Sequence, residues 1–367
     1  MYQNDQRIVL TLDAGGTNFV FSAIQANEEI VKPFGLPAYT DDIEKCLDTL
    51  VEGFTRLKML LREDGYGKPV AISFAFPGPA DYENGIIGDL PNFPAFRDGI
   101  PLGPFLQKEF GIPVYINNDG NLFAYGEAIA GALPQLNAKL EAIGSSRRYK
   151  NLIGITFGTG FGSGIVINQC LLTGDNGCGG DVWAFRNKLH PGKIAEESVS
   201  KRAILRVYND LTNTNEIGLT PEDIYEIAEG KKEGDRQAAE KSFSQFGEVA
   251  GDVIAHLQAF TDGIIVLGGG IIGAEKYILP ALKKELEDKL YTFSNLSFDR
   301  LQMKVYDLTK ENNMNDFFIE RSIMVKVPRC NEIVCYNSVK RSAILISALG
   351  TNKAISLGAY AYALSKL

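Results

Sequence analysis

Apolar positions along the chain alternate between two rhythms. Ile8 to Leu12 is a β-type run, Phe19 to Gln25 a second, and Ile30-Val31 a short third before Pro33. Asp41 then stands where an N-cap belongs, ahead of Ile43, Leu47, Leu50, Val51 and Phe54 near i, i+3/i+4 spacing, which predicts a helix reaching about Arg62. Pro69 to Phe76 is nearly all apolar, as expected of a strand covered on both faces. A short helix at Leu102–Phe110, a strand at Pro113–Asn117 and a helix over Asn121–Gly131 continue the alternation, which predicts an α/β architecture.

The second half repeats the scheme. Residues 134–150 are polar and charged and read as a solvated loop or frayed helix. Leu152–Phe157 and Ile165–Ile167 read as strands, and Glu196-Glu197 opens a helix running past Leu205. Thr220, Pro221 and Asp223 form an N-terminal helix signature with an acid at N3. A helix over Asp235–Phe260 carries Phe243, Phe246, Val249, Val253, Ile254 and Leu257 on one face. Gly263–Leu267 is a buried strand and Glu275–Leu290 a helix. Beyond Leu301 the pattern weakens: Leu301–Tyr306, Phe317–Val327 and Glu332–Tyr336 read as strands, Ile344–Leu349 is a further apolar run, and Ala354–Leu364 is a closing helix.

A chain of 367 residues exceeds one small core and implies about two domains. The balance is acidic, 37 basic against 45 acidic residues for a net charge of −8, with no Lys/Arg tract. That argues against broad nucleic-acid or anionic-membrane binding while leaving room for a local anion site. The five cysteines are scattered and odd in number, the pattern of free thiols in a reducing, cytoplasmic setting. No leader-peptide pattern and no apolar run of membrane-spanning length stands out.

Three glycine turns change the picture. In the first, Asp13 ends a strand and Gly15, Gly16 and Thr17 follow before the next strand. Their N–H groups and the Thr17 hydroxyl form a possible anion cradle, the glycines can reach φ > 0, and Asp13 can hold a metal directly or through water; an ordinary hairpin explains the same residues. Gly158, Thr159 and Gly160 repeat the device after a second buried strand, as a nucleotide triphosphate held between two domains requires. Gly268, Gly269 and Gly270 follow a third strand, suited to close approach of a flat ligand or to a tight turn before a helix. Asp119, beside Asn118 at a strand-to-helix junction, reads either as an N-cap or as a general base with a hydrogen-bonding neighbour.

Together these segments resemble the ROK family of bacterial sugar kinases and repressors, over about residues 7–361 and least at 308–340. The resemblance implies an actin-like ATPase (ribonuclease H-like) fold: two α/β lobes, each with a central mixed sheet, the smaller over 1–120 joined by helix 353–367 and the larger over 121–352. It implies an ATP-dependent kinase for a hexose hydroxyl, glucokinase-like, with N-acetylhexosamine or fructose as alternative substrates and a non-catalytic sugar sensor as an alternative role. Asp119 would be the catalytic base. Asp13 would organise Mg²⁺; Gly15, Gly16, Thr17, Gly158, Thr159, Gly160, Gly268, Gly269 and Gly270 would hold ATP. Gly78, Asn92, Asn118, Asp181 and Glu197 would bind sugar. The family's repressors carry an N-terminal helix-turn-helix, whereas this chain enters its first strand by residue 7. A homodimer is usual among similar proteins.

The chain departs from the pattern at Gly180-Asp181-Val182-Trp183-Ala184, where the family has Gly-Glu-x-Gly-His, and it lacks the cysteine-rich zinc element that should follow. His190 alone cannot make a site needing about four ligands, so no structural zinc is expected. Trp183 offers a stacking surface there instead.

Overall fold

The computed structural model describes all residues except 91–92, 215–217 and 320. Asn92, expected to bind sugar, lies outside the described residues. The chain forms two compact units. One comprises Met1–Pro134, Ser163–Gly180 and Ser347–Leu367, and the other Gln135–Gly162 and Asp181–Ile346.

The first unit is built on strands β1 (Val9–Ala14), β2 (Asn18–Gln25), β3 (Glu28–Glu29), β4 (Phe34–Pro37) and β5 (Ala71–Ala75), with helix α1 (Ile43–Glu63) between the last two. The small hairpin β6 (Ala80–Asp81) and β7 (Ile86–Ile87), helix α2 (Leu102–Phe110), strand β8 (Val114–Asn117) and helix α3 (Asp119–Ile129) follow. The sheet order is β3-β2-β1-β5-β8, with β4 also on β2. β1 pairs antiparallel with β2 and parallel with β5, which pairs parallel with β8, so the sheet is mixed. Both faces are covered. Leu10, Leu12, Phe19, Phe21, Phe54, Phe74 and Phe76 pack on one side. Val9, Ile24 and Ala71 meet Leu357, Tyr360 and Leu364 of the last helix on the other. Burying a large apolar side chain gains about 1.5–3 kcal/mol, so this double layer explains why the β5 run carries no polar alternation.

The second unit begins within helix α4 (Ala132–Ala142) and continues with β9 (Leu152–Phe157). β10 (Phe161–Ile167) and β11 (Cys170–Leu171) form an antiparallel hairpin that from Ser163 onward belongs to the first unit. Helices α5 (Lys201–Thr212), α6 (Pro221–Ala228) and α7 (Arg236–Thr261) precede β12 (Ile264–Gly268) and α8 (Glu275–Leu286). The hairpin β13 (Lys289–Tyr291) and β14 (Ser297–Asp299) leads to β15 (Lys304–Asp307) and α9 (Glu311–Phe318). A second hairpin, β16 (Ser322–Lys326) and β17 (Ile333–Asn337), precedes β18 (Arg341–Ile346). Strands β9, β12, β18 and β15 lie side by side in that order, all parallel. The expected face of α7 is buried, and its N-cap is Asp235, which accepts from Ala238 N–H. α6 carries the full reciprocal capping box between Thr220 and Asp223.

Helix α10 (Thr351–Lys366) returns the chain to the first unit. It packs against α3 through glycines: a Cβ on Gly126 would lie 1.9 Å from Ala354 O, and one on Gly358 1.8 Å from Leu122 O. The boundary expected at residue 120 therefore differs from the compact unit, which keeps all of α3 because that helix is wedged against α10. Glu127, fully buried, accepts from Ala132 N–H (2.7 Å), Leu349 N–H (3.1 Å) and the Ser347 hydroxyl, securing the chain where it leaves this unit and where it comes back.

Several local expectations shift. The α1 cap is Asp42, not Asp41: its carboxylate accepts from Lys45 N–H. The short third strand is Glu28–Glu29, not Ile30-Val31. Residues 132–142 are helical because Leu133, Leu136 and Leu140 are buried, an i, i+3, i+7 stripe hidden among polar neighbours. Residues 311–318 are helical, so the strand expected from Phe317 begins only at Ser322, and of that helix only Phe317 is buried. α8 stops at Leu286, and Lys289–Tyr291 is extended. Glu196-Glu197 lie in a 3-10 turn ahead of α5. Among the described residues no helix is long and apolar enough to cross a membrane.

Candidate active site

In the first unit, parallel pairing brings the chemistry to one edge of the sheet. The register places Asp13 opposite Ala75 and Ala75 opposite Asn117, so the segments leaving β1, β5 and β8 emerge together at the C-terminal ends of three neighbouring strands. Those segments carry Asp13 to Thr17, Gly78, and Asn118 with Asp119. Gly78 is exposed, and Tyr82, whose hydroxyl donates to Phe76 O (3.0 Å), lies beside it.

The capping reading of Asp119 does not hold. Asn118 is the N-cap of α3, its Oδ1 accepting from Asn121 N–H at 2.6 Å. Asp119 is thereby released from capping and occupies the first helical position, at the surface yet with its carboxyl crowded by the surrounding protein. The same bond engages the Asn118 carbonyl, so of this residue, expected to meet a sugar, the amide N–H₂ is the group left for a ligand hydroxyl. The protein around Asp119 withdraws bulk water and raises its carboxyl above the ordinary carboxylate range, against the lowering by hydrogen bonds from Gly120 N–H and its own N–H. Asp13, half-buried, is raised first by burial and then by the charge of Asp119. Two carboxylates thus repel one another at the sheet edge, a donor set that a divalent cation would relieve. Among the described residues no group of three or more His, Cys, Asp or Glu could hold a metal.

The first glycine turn closes the β1–β2 hairpin, where Ala14 pairs with Phe19. Neither Gly15 nor Gly16 has positive φ, contrary to the use expected of them. Their need is steric: a Cβ on Gly15 would lie 2.8 Å from Asn18 O, while Gly16 faces open space. Gly16 and Thr17 are exposed.

The second unit carries the other two glycine turns side by side, because β9 and β12 are neighbours with Thr156 opposite Gly268. Gly158 N–H donates to Gly160 O (3.1 Å), and Gly158 O accepts from Lys201 N–H (3.1 Å) at the start of α5. Gly269 has φ 88°, and a Cβ on it would lie 2.2 Å from Phe157 O, so this glycine serves the seating of one turn on the other. Gly270 faces open space.

An acid missed from sequence sits on the second turn. Glu196 accepts from Phe161 N–H at 3.0 Å and lies over Gly160, whereas Glu197 turns outward to Arg202 at 2.8 Å. Arg202 also holds Glu196 at 2.9 Å. Adjacent glutamates offer no periodicity that separates them; only the 3-10 turn over 195–197 does. Asn187 anchors the same stretch from below. Fully buried, it accepts from Leu189 N–H and His190 N–H and donates to Ile194 O and Ser198 Oγ, using every bond an amide can make. Asp181 is exposed, raised by partial desolvation and lowered by a hydrogen bond from Trp183. Trp183, itself exposed, thus serves as a donor to the shortened acid.

The ROK family model matches residues 9–306, and the chain belongs to that family. Its fold is accordingly the actin-like ATPase fold of ROK sugar kinases. A solved structure of glucokinase from Parabacteroides distasonis is 52% identical over 100% of both chains, with a TM-score of 0.86. Glucokinase of Thermotoga maritima is 26% identical, covering 76% of this chain and 87% of that protein. N-acetyl-D-glucosamine kinase of Vibrio cholerae is 25% identical over 71% of this chain and 83% of its own length. The xylose repressor of Bacillus spizizenii is 26% identical, at 77% and 68%.

Proposed function

We propose that this protein is an ATP-dependent sugar kinase in which Asp119 accepts the proton of a sugar hydroxyl as that oxygen attacks the γ-phosphoryl group. The observation carrying the reading is that Asn118 supplies the helix cap, leaving an exposed Asp119 with a raised pKa facing Asp13. A base works best with its pKa drawn toward the working pH, and withdrawal of water does that here. Since chemistry of this kind rests on positioning and charge stabilisation, the backbone N–H groups of Gly15–Thr17 and of the Gly158–Gly160 turn, apart from Gly158 N–H which donates to Gly160 O, are assigned to the phosphates, and Gly268–Gly270 to the adenosine side. Asp13 would hold Mg²⁺ directly or through water; bound Mg²⁺ neutralises charge on the transferring phosphates. Gly78, Asn118 and Asp181 are assigned to sugar hydroxyls, with Glu196 in place of Glu197 because only Glu196 is aimed at the glycine turn.

The high identity to the Parabacteroides distasonis glucokinase supports glucose as the first substrate to test, and the N-acetyl-D-glucosamine kinases support that sugar as the second. ADP release measured over a panel of hexoses, N-acetylhexosamines and ketoses tests the activity. Asp119→Asn should abolish turnover while calorimetry still detects sugar and ATP; a variant with near wild-type rate refutes the base assignment. Sugar binding without turnover in the wild type would favour the sensor.

A further inference from the structure

We infer that Asn117 and Asn121 are positioning residues that hold Asp119 in its working place, an assignment that rests on the reading of Asp119 as the base. Asn117 ends β8, and its main-chain carbonyl accepts from Phe76 N–H (2.9 Å), so its backbone is fixed to the segment leaving β5. The residue is 2% exposed. Its Oδ1 accepts from Asn118 N–H at 2.8 Å and from Asn121 Nδ2 at 2.9 Å. These two donors bracket Asp119, one in the helix cap before it and one in the first turn of α3 after it. The Asn117 side chain is also hydrogen-bonded to the Tyr362 hydroxyl of α10. Tyr362 meets Tyr115 edge-on at 6.3 Å, and Tyr115 shares a face of β8 with Asn117. One buried amide thus joins the strand end, the start of α3 and the last helix where Asp119 leaves the sheet.

Stability alone does not account for this arrangement. Asn121 is 1% exposed, and its Oδ1 has no hydrogen-bond partner among the described residues. A buried acceptor left unmatched weakens a fold. Leucine, of similar volume, would carry no such atom and is the better helix former. What asparagine supplies and leucine cannot is the Nδ2 donor to Asn117. A local choice made against stability marks a place where geometry serves chemistry. The demand is steep, because misplacing a reacting group by about 1 Å costs about 10²-fold in rate.

Asn121→Leu in the full chain removes the unmatched oxygen and creates no new one, because Asn117 Oδ1 keeps Asn118 N–H. Its Tm should equal or exceed that of the wild type, while kcat falls about 10–100-fold. KM for sugar and for ATP should stay within about twofold of the wild type. Asn117→Ala should show the same split between kcat and KM. In an Asp119→Asn background neither change should lower the residual rate further, since groups that act as a unit are not additive. Should the branched leucine not fit, Asn121→Ala keeps the kcat-against-KM split and the Asp119→Asn background as readouts. A wild-type kcat, an effect on KM alone, or an equal loss of rate in both backgrounds overturns the inference. An Asp119→Asn enzyme with near wild-type rate refutes the base itself and the inference with it. An inactive Asp119→Asn beside a fully active Asn121→Leu refutes the inference alone.

Discussion

The first and second glycine turns look alike in sequence: an apolar strand, glycines around a threonine, another strand. In the folded chain they differ. The turn at Gly15–Thr17 takes Ala38 N–H on Thr17 O (3.0 Å) but leaves Gly16 and Thr17 exposed, and its nearby acids, Asp13 and Asp119, repel each other and sit above their ordinary pKa values. The turn at Gly158–Gly160 is held down, by Lys201 N–H on Gly158 O and by the Glu196 carboxylate on Phe161 N–H. One turn is left available and depends on carboxylates beside it; the other is shaped by a carboxylate already upon it. The same local chemistry is thus put to two different uses, and what distinguishes the two turns comes from distant segments.

The largest test of this contrast is Asp119→Asn, for which steady-state kinetics should show kcat lower by about 10²–10⁴-fold, the usual worth of a positioned base. Glu196→Gln keeps the shape of the side chain and should instead act mainly on KM.

Alanine substitutions come next. Gly15→Ala should lower stability by about 1–3 kcal/mol in denaturant titration, because its Cβ meets the backbone carbonyl of Asn18 within a tight hairpin. Gly160→Ala should cost less, since the atom it meets, 2.5 Å away, is the end of the flexible Glu196 side chain. Gly16→Ala and Gly158→Ala have open space and should stay within about 0.5 kcal/mol. Equal effects at all four positions would erase the distinction between the turns.

A smaller effect runs through pH. Both carboxyls have folded pKa values above their unfolded ones, so between those values the folded chain binds more protons and stability falls as pH rises. At neutral pH each therefore destabilises the fold. Asp119→Asn removes one contribution and relieves Asp13, so its Tm should exceed that of the wild type at pH 7. The gap should close as pH falls toward the ordinary carboxylate range; a lower Tm at pH 7 would contradict the electrostatic account. Smallest is Glu197→Gln, which loses one exposed pair with Arg202, worth at most about 1 kcal/mol, and should leave the kinetics unaltered.

Much of this is legible in the amino-acid sequence. Largely apolar runs mark β1, β5, β9 and β12, and glycine turns at the ends of β1, β9 and β12 mark the candidate site. Three features are not legible there, each for a physical reason. Asn118 and Asp119 are both good caps, and sequence cannot say which one the backbone uses. Glu196 and Glu197 are separated only by the rotation of a 3-10 turn. Helix α4 hides its three leucines in a polar stretch. The extent of the first unit also depends on α3 meeting α10 across more than 200 residues, a pairing no local pattern reveals.

That pairing has a consequence in time. Asp119 begins α3, and α3 is seated by glycine-to-backbone contact with α10, the last helix of the chain. During synthesis every strand and turn described for both units is made before the segment that seats Asp119. The first unit must therefore wait, with its Val9–Ile24–Ala71 face uncovered, until residues 351–366 arrive. Seating of Asp119 in this sense waits on α10, and a chain that stopped before residue 351 would carry Asp13, Asp119 and the glycine turns without the helix that holds α3 in place.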